Sequence, residues 1–169
     1  MYPINSDRDE LVVSKLSARF GHAIEKHELL LDMLCITINK DFIPEIMEFL
    51  RDDQDLRYNF LTTLCGMHYP ENEQLGVVYH IHSFTNNHRI RLKTVTELEN
   101  PKVPTLTSLW PAANWMEREA YDFFGLQFEG HPNLKRILNV DEMTAFPLRK
   151  DFPLEDQTRH DKDDSMFGR

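Results

Sequence analysis

The chain has 169 residues, 41% of them hydrophobic, which suits one globular domain with a core of its own. Its formal net charge of −9 and pI near 5.3 leave no basic surface for nucleic acid or for polybasic docking on anionic lipid. No apolar run approaches the roughly 18 residues that span a bilayer, and MYPINSDRDE resembles neither a secretory leader nor a transit peptide. The chain as given reads as cytosolic.

Ser6 followed by Asp9 resembles a capping box, and Val12, Leu16 and Phe20 continue an apolar stripe, so a helix is expected over 7–20 with Gly21 as its stop. From Leu29 to Asn39 an apolar run ends with Leu34, Ile36 and Ile38 at period two, a strand. Ile43, Ile46, Met47 and Leu50 then fall at helical spacing, ending in the acidic run Asp52–Asp55. Tyr58 to Tyr69, bounded by Pro70, reads as a strand. Leu75–Phe84 and Arg89–Val95 read as a hairpin turned at Asn86-Asn87, since Asn tolerates positive φ. Arg89, Arg91 and Lys93 share one face of the last strand, either a wet sheet face or a contact surface for an acidic partner. Pro101 and Pro104 make an extended connector. Helix, strand, helix, three strands and helix imply an α+β domain: a mainly antiparallel sheet of about four strands with helices packed on it.

Cys35 and Cys65 lie in apolar surroundings and read as buried, inert thiols. Two cysteines cannot hold a four-thiolate zinc or iron–sulfur site. His80 and His82 point to one side of a strand, and His88 lies across the hairpin; a metal site there competes with ordinary packing. The chain has no Walker A loop, GxGxxG, GxSxG or HExxH motif.

The stretch from Trp110 to Leu138, WPAANWMEREAYDFFGLQFEGHPNLKRIL, has an order that folding alone does not explain. Pro111 suits a first helical turn and Gly125 a left-handed C-terminal cap. Met116, Ala120, Phe123 and Phe124 form an apolar stripe, and Arg118 and Asp122 are spaced to pair along the helix. Glu117, Arg118, Glu119 and Asp122 crowd against Trp115, Phe123 and Phe124. Charges so placed need partners, inside the domain or on another chain. Glu117 and Glu119 diverge on a helix and cannot act as an acid–base pair on one atom. His131, between Gly130 and Pro132, is a hydrogen-bonding turn residue or a proton carrier.

These residues resemble a known signature. E-R-E-x-x-D-x-F-G at 117–125 and F-x-G-H-P-x-L-K-R-I-L at 128–138 are similar to the 30 kDa subunit family of the proton-pumping NADH:quinone oxidoreductase. Pro147–Leu154, PLRKDFPL, resembles the family's C-terminal segment, although Phe146 stands where the family often has His. The resemblance implies a non-catalytic structural subunit of the peripheral arm of respiratory complex I, with no cofactor of its own. FMN, iron–sulfur clusters and quinone would sit in partner subunits, and the subunit that builds the quinone site would be the chief neighbour. By the motif, Glu117, Arg118, Glu119, Asp122, His131, Pro132 and Arg136 would form the subunit interface. Location would be peripheral, on the cytoplasmic side of a bacterial inner membrane. A globular part is expected over 1–150. Residues 151–169, with Phe152, Leu154, Met166 and Phe167 as widely spaced anchors, read as a disordered tail or an arm that orders on a partner. Competing readings are the equivalent subunit of a membrane-bound hydrogenase or of a ferredoxin- or F420-dependent oxidoreductase, a small stand-alone metal-binding protein, and a soluble adaptor.

Overall fold

The computed structural model describes residues 6–153. The side chain of Ser6 and the expected anchors Leu154, Met166 and Phe167 lie outside the described residues. Helix α1 spans Ser6–Phe20, and Val12 and Leu16 are wholly buried on its inner stripe. Strand β1 covers Ile24–Leu30 and β2 Met33–Ile38. Here the expected single strand 29–39 is corrected to two. Leu31 and Asp32 both take positive φ, 50° and 64°, and fold the chain into a hairpin. Leu-Asp is not the Asn-Gly that usually marks such a turn, so the apolar run reads straight through it.

Helix α2, Ile43–Asp52, buries Ile43, Ile46, Met47 and Leu50 as their spacing predicts. Strands β3 (Phe60–Tyr69), β4 (Gln74–Ser83) and β5 (His88–Glu97) follow. At the β4–β5 turn, Asn87 supplies the positive φ of 48°, and Asn86 donates from Nδ2 to the carbonyls of Asp55 and Leu56, both at 2.8 Å. The five strands form one sheet in the order β1-β2-β5-β4-β3. The α+β class is as expected. The sheet is mixed, because the α2 excursion brings the chain back to lay β5 parallel to β2.

One sheet face carries Leu75, Val77, Tyr79 and Ile81 from β4 and Ile90 and Leu92 from β5, all buried in a cluster with α1, α2 and α3. A fully buried aliphatic or aromatic side chain contributes about 1.5–3 kcal/mol, so this layer holds most of the stability. His88 lies on the same face. Its Nδ1 meets the Tyr58 hydroxyl at 2.6 Å and its Nε2 meets Asp9 at 3.1 Å, tying the sheet to α1. His80 and His82 pair with Arg91 and Arg89 in register and lie on the opposite face. The three imidazoles therefore do not converge, which removes the geometric basis of the stand-alone metal reading. Cys35 is buried, but Cys65 is exposed, correcting the expectation for it: β3 is an edge strand and Cys65 sits on its outer side opposite Val78.

The proline connector holds a short strand. Lys102–Pro104 (β6) pairs in parallel with Gln127–Glu129 (β7), and between them runs α3, Ala113–Phe124. This small β-α-β unit fixes both ends of α3. The helix then lies against β3, where Gly66 leaves room for it: a Cβ there would come within 2.5 Å of the Phe124 ring.

Candidate functional site

Helix α3 starts at Ala113, just after Pro111, and ends at Gly125, whose φ of 78° and N–H bond to the Tyr121 carbonyl (2.8 Å) make the expected cap. Its buried face keeps Met116, Ala120 and Phe124 of the expected stripe, without Phe123, and adds Ala113 and Glu117. Ala113, Glu117 and Ala120 point inward, with Phe124 packed partly on the core, so a carboxylate sits in the middle of an apolar line.

Glu117 is wholly buried. Its Oε1 accepts the Leu106 N–H at 2.7 Å and its Oε2 the Thr105 hydroxyl at 2.5 Å. Burial pushes the carboxyl up to about 7, against the opposing pull of these two bonds. The bonds fasten α3 to the segment that follows β6.

Asp122, also wholly buried, gathers residues 136–139 around its carboxylate. Its Oδ2 accepts the consecutive N–H groups of Ile137, Leu138 and Asn139 at 3.1, 2.8 and 2.9 Å. Its Oδ1 accepts Arg136 Nη1 at 2.7 Å and Asn139 Nδ2 at 3.0 Å. Burial opposes ionisation here, but so many donors outweigh it and hold the carboxyl well below the usual range. Arg136 donates onward to the carbonyls of Asp122, Met143 and Ala145. A single ion pair thereby folds residues 134–145, a stretch without helix or strand.

Arg118 does not pair with Asp122. It donates to the Lys135 and Arg136 carbonyls, both at 3.1 Å, and stacks 5.0 Å from the Trp115 ring. The spacing along α3 permitted an Arg118–Asp122 pair, but Arg136 and three backbone donors reach the carboxylate first. His131 accepts the Asn133 N–H at Nδ1 (3.0 Å), and its Nε2 lies 3.2 Å from the Asn114 carbonyl, bonds that suit the turn role. Pro132 and Glu119 are exposed. Phe146, at the position where His was the expected residue, receives the Arg136 and Arg149 guanidinium groups at 5.4 and 4.4 Å. Arg149 in turn donates to the Phe124 carbonyl at 2.6 Å.

Of the seven expected interface residues, Glu117 and Asp122 therefore have no surface of their own, and Arg118 and Arg136 are engaged within the chain. What they hold outward is apolar: Trp115 (58% exposed), Leu138 (67%), Val140 (66%) and Leu148 (55%). Of these, Leu148 borders a cleft of about 190 Å³ between α3 and β3, lined also by Cys65, Gly66, Glu119 and Phe123 among others. The sequence alone does not single out Thr105, Leu106, Asn139 or Phe146 as parts of this frame. Only the acid in E-R-E-x-x-D and the basic K-R that follows hint at it.

Residues 36–158 match the model of the family described as respiratory-chain NADH dehydrogenase, 30 Kd subunit. This chain belongs to that family. Among the relatives of this 30 kDa subunit, the corresponding NADH-quinone oxidoreductase subunit of Roseiflexus castenholzii is 45% identical over 144 residues, 85% of this chain and 83% of that protein. The protein of the same name from Citrifermentans bemidjiense is 42% identical over 148 residues, 87% of this chain and 91% of its own length. Among solved structures, the trypsin-resistant fragment (1–134) of Nqo5 is 31% identical with a TM-score of 0.64, covering 75% of this chain and 99% of the fragment. The membrane-bound sulfane sulfur reductase, an archaeal respiratory membrane complex, includes a chain that shares the fold. It has a TM-score of 0.73 at 23% identity, over 86% of this chain and 85% of that one. The chain is thus a subunit of the NADH dehydrogenase type. Among the described residues, no helix is long and apolar enough to cross a membrane.

Proposed function

We propose that this chain is a non-catalytic structural subunit of the peripheral arm of a proton-pumping NADH:quinone oxidoreductase. It docks through the α3 face and holds the quinone-site and iron–sulfur subunits in register. The observation that carries this reading is the inversion of polarity at α3. Glu117, Arg118 and Asp122 are buried and satisfied, while Trp115, Leu138, Val140 and Leu148 stand in water, Leu148 at the edge of a cleft. Large exposed apolar groups on a rigid polar frame are a docking surface, with an aromatic anchor of the kind that dominates binding energy. The quinone-site subunit is the proposed chief partner, FMN, iron–sulfur clusters and quinone belong to partner subunits, and the complex sits on the cytoplasmic side of a bacterial inner membrane.

The role is positional. Electron transfer depends on fixed distances between centres, and a subunit that carries none can still set them by bracing those that do. Trp115→Ala and Leu138→Asp should lower co-purification of the other subunits from native membranes by about tenfold or more, a loss of about 1.4 kcal/mol or more at the interface. The variants should keep the circular dichroism of the native chain. A complex that assembles fully in these variants yet turns over slowly would overturn the reading, because the face would then act on the reaction. The purified chain should be colourless and redox-silent.

A further inference from the structure

The sheet face turned away from the helices has a character that the α3 face does not account for. Alternation puts Arg89, Arg91 and Lys93 of β5 there, with Val78, His80 and His82 of β4, Thr63 and Cys65 of β3, and Cys35 and Thr37 of β2. In a chain of net charge −9, this face gathers Arg89, Arg91 and Lys93 on β5 and Lys26 on β1, against Glu28 and Glu97 at its margins. The nearest acid in register, Glu28, is paired with Lys26 at 2.6 Å. Val78 and Cys35 are only 5% and 2% exposed in the midst of these long cationic side chains, whose stems can cover apolar surface while the heads stay outside.

Two details give the face a direction. His80 accepts Arg91 Nε at 2.8 Å, which orients the guanidinium, and among the described residues its two terminal nitrogens have no hydrogen-bond partner. That leaves a fork shaped for a carboxylate. Lys93 likewise has no ion pair or hydrogen bond among the described residues. At the end of the same face Phe60 and Phe84, 45% and 63% exposed, meet as a tilted pair with ring centroids 5.2 Å apart, and His82 packs edge-on to Phe84 at 4.9 Å.

We propose that this face is a second docking surface and takes an acidic segment of another protein subunit. Its carboxylates would sit on Arg91 and Lys93, and an apolar side chain would lie against Phe60 and Phe84. The inference rests on the reading of the chain as a bracing subunit, and it adds a contact on the side opposite the main core. Nucleic acid is a poorer fit, because so small a group of cations on an otherwise acidic molecule neutralises few phosphates. An anionic membrane would call for a larger basic cluster than this one. An aromatic pair next to an oriented Arg is the composition of a protein contact.

The test uses the complex isolated from native membranes, with the photo-cross-linking residue benzoylphenylalanine in place of Thr37, in register with Lys93 and away from the α3 cleft. The expected product joins position 37 to an Asp- or Glu-rich segment of another subunit. It should fall at least about tenfold in the double variant Arg91→Glu, Lys93→Glu and persist in Arg91→Lys, Lys93→Arg. Lys93→Gln, a milder change, gives the same comparison should the double variant fail to fold, and it should lower the yield. Cross-links to lipid, to nucleic acid or to residues 1–5 or 154–169 of the same chain would overturn the proposal, as would no cross-link at all. Failure of Trp115→Ala to weaken assembly overturns the α3 reading alone, because it leaves the cross-link map at position 37 unchanged.

Discussion

Two carboxylates on one helix, five residues apart, are held in opposite protonation tendencies by what surrounds them. Glu117 has two donors and is pushed up from 4.5 to about 7 by burial. Asp122 has five donors, one of them a guanidinium, and is held far below its ordinary 3.8. Their stability signatures therefore have opposite signs. The folded chain binds the Glu117 proton more tightly than the unfolded chain does, so this group's contribution is largest below pH 4.5 and is lost as pH rises toward 7. Across that window the loss is about 3 kcal/mol, and Glu117→Gln should flatten it in urea titrations run at several pH values. Asp122 contributes above pH 3.8, and its stabilisation is lost as pH falls through and below that value. Asp122→Ala strands the Arg136 guanidinium and three N–H groups, and should cost about 3–5 kcal/mol at neutral pH. Gly125→Ala should also destabilise, by more than about 1 kcal/mol in thermal melts. The φ of 78° disfavours a side chain, and the added Cβ would come within 2.7 Å of Arg149 and Phe146.

At the scale of elements, the hairpin β1–β2 shows how a turn can be built from residues that do not advertise it. Leu31 is 93% exposed and held at positive φ, a conformation that costs a non-glycine residue about 1–3 kcal/mol. Replacing Leu31 and Asp32 by Asn-Gly should raise chain stability by about 0.5–1 kcal/mol, measured by denaturant unfolding, with assembly unchanged. Helix α3 shows the converse. Its ends are read easily, from Pro111 and Gly125, yet the face that is buried is set by the β6–β7 pair and by Gly66 of β3. The clamp of those strands turns Glu117 inward and leaves Trp115 outward, and the segment 134–145 wraps the remaining side through Asp122.

For the whole molecule, the sequence by itself determined the α+β class, the α1 and α2 stripes, the β4–β5 hairpin and the family. Each rests on short-range periodicity or on ordered residue types, which survive without knowledge of neighbours. E-R-E-x-x-D at 117–122 and L-K-R-I-L at 134–138 likewise pointed to one region, which the fold joins through the Asp122–Arg136 pair. Only the tertiary structure decided that Arg118 turns from Asp122 to the Lys135 and Arg136 carbonyls, that Arg136 takes its place, and that Phe146 serves as a platform for two guanidinium groups. It alone decided that the sheet is mixed and that His88 lies on the face opposite His80 and His82. The reason is physical. A buried charge takes whichever donors the fold brings nearest, often from segments distant along the chain, and hydrophobic spacing along one element records nothing about them.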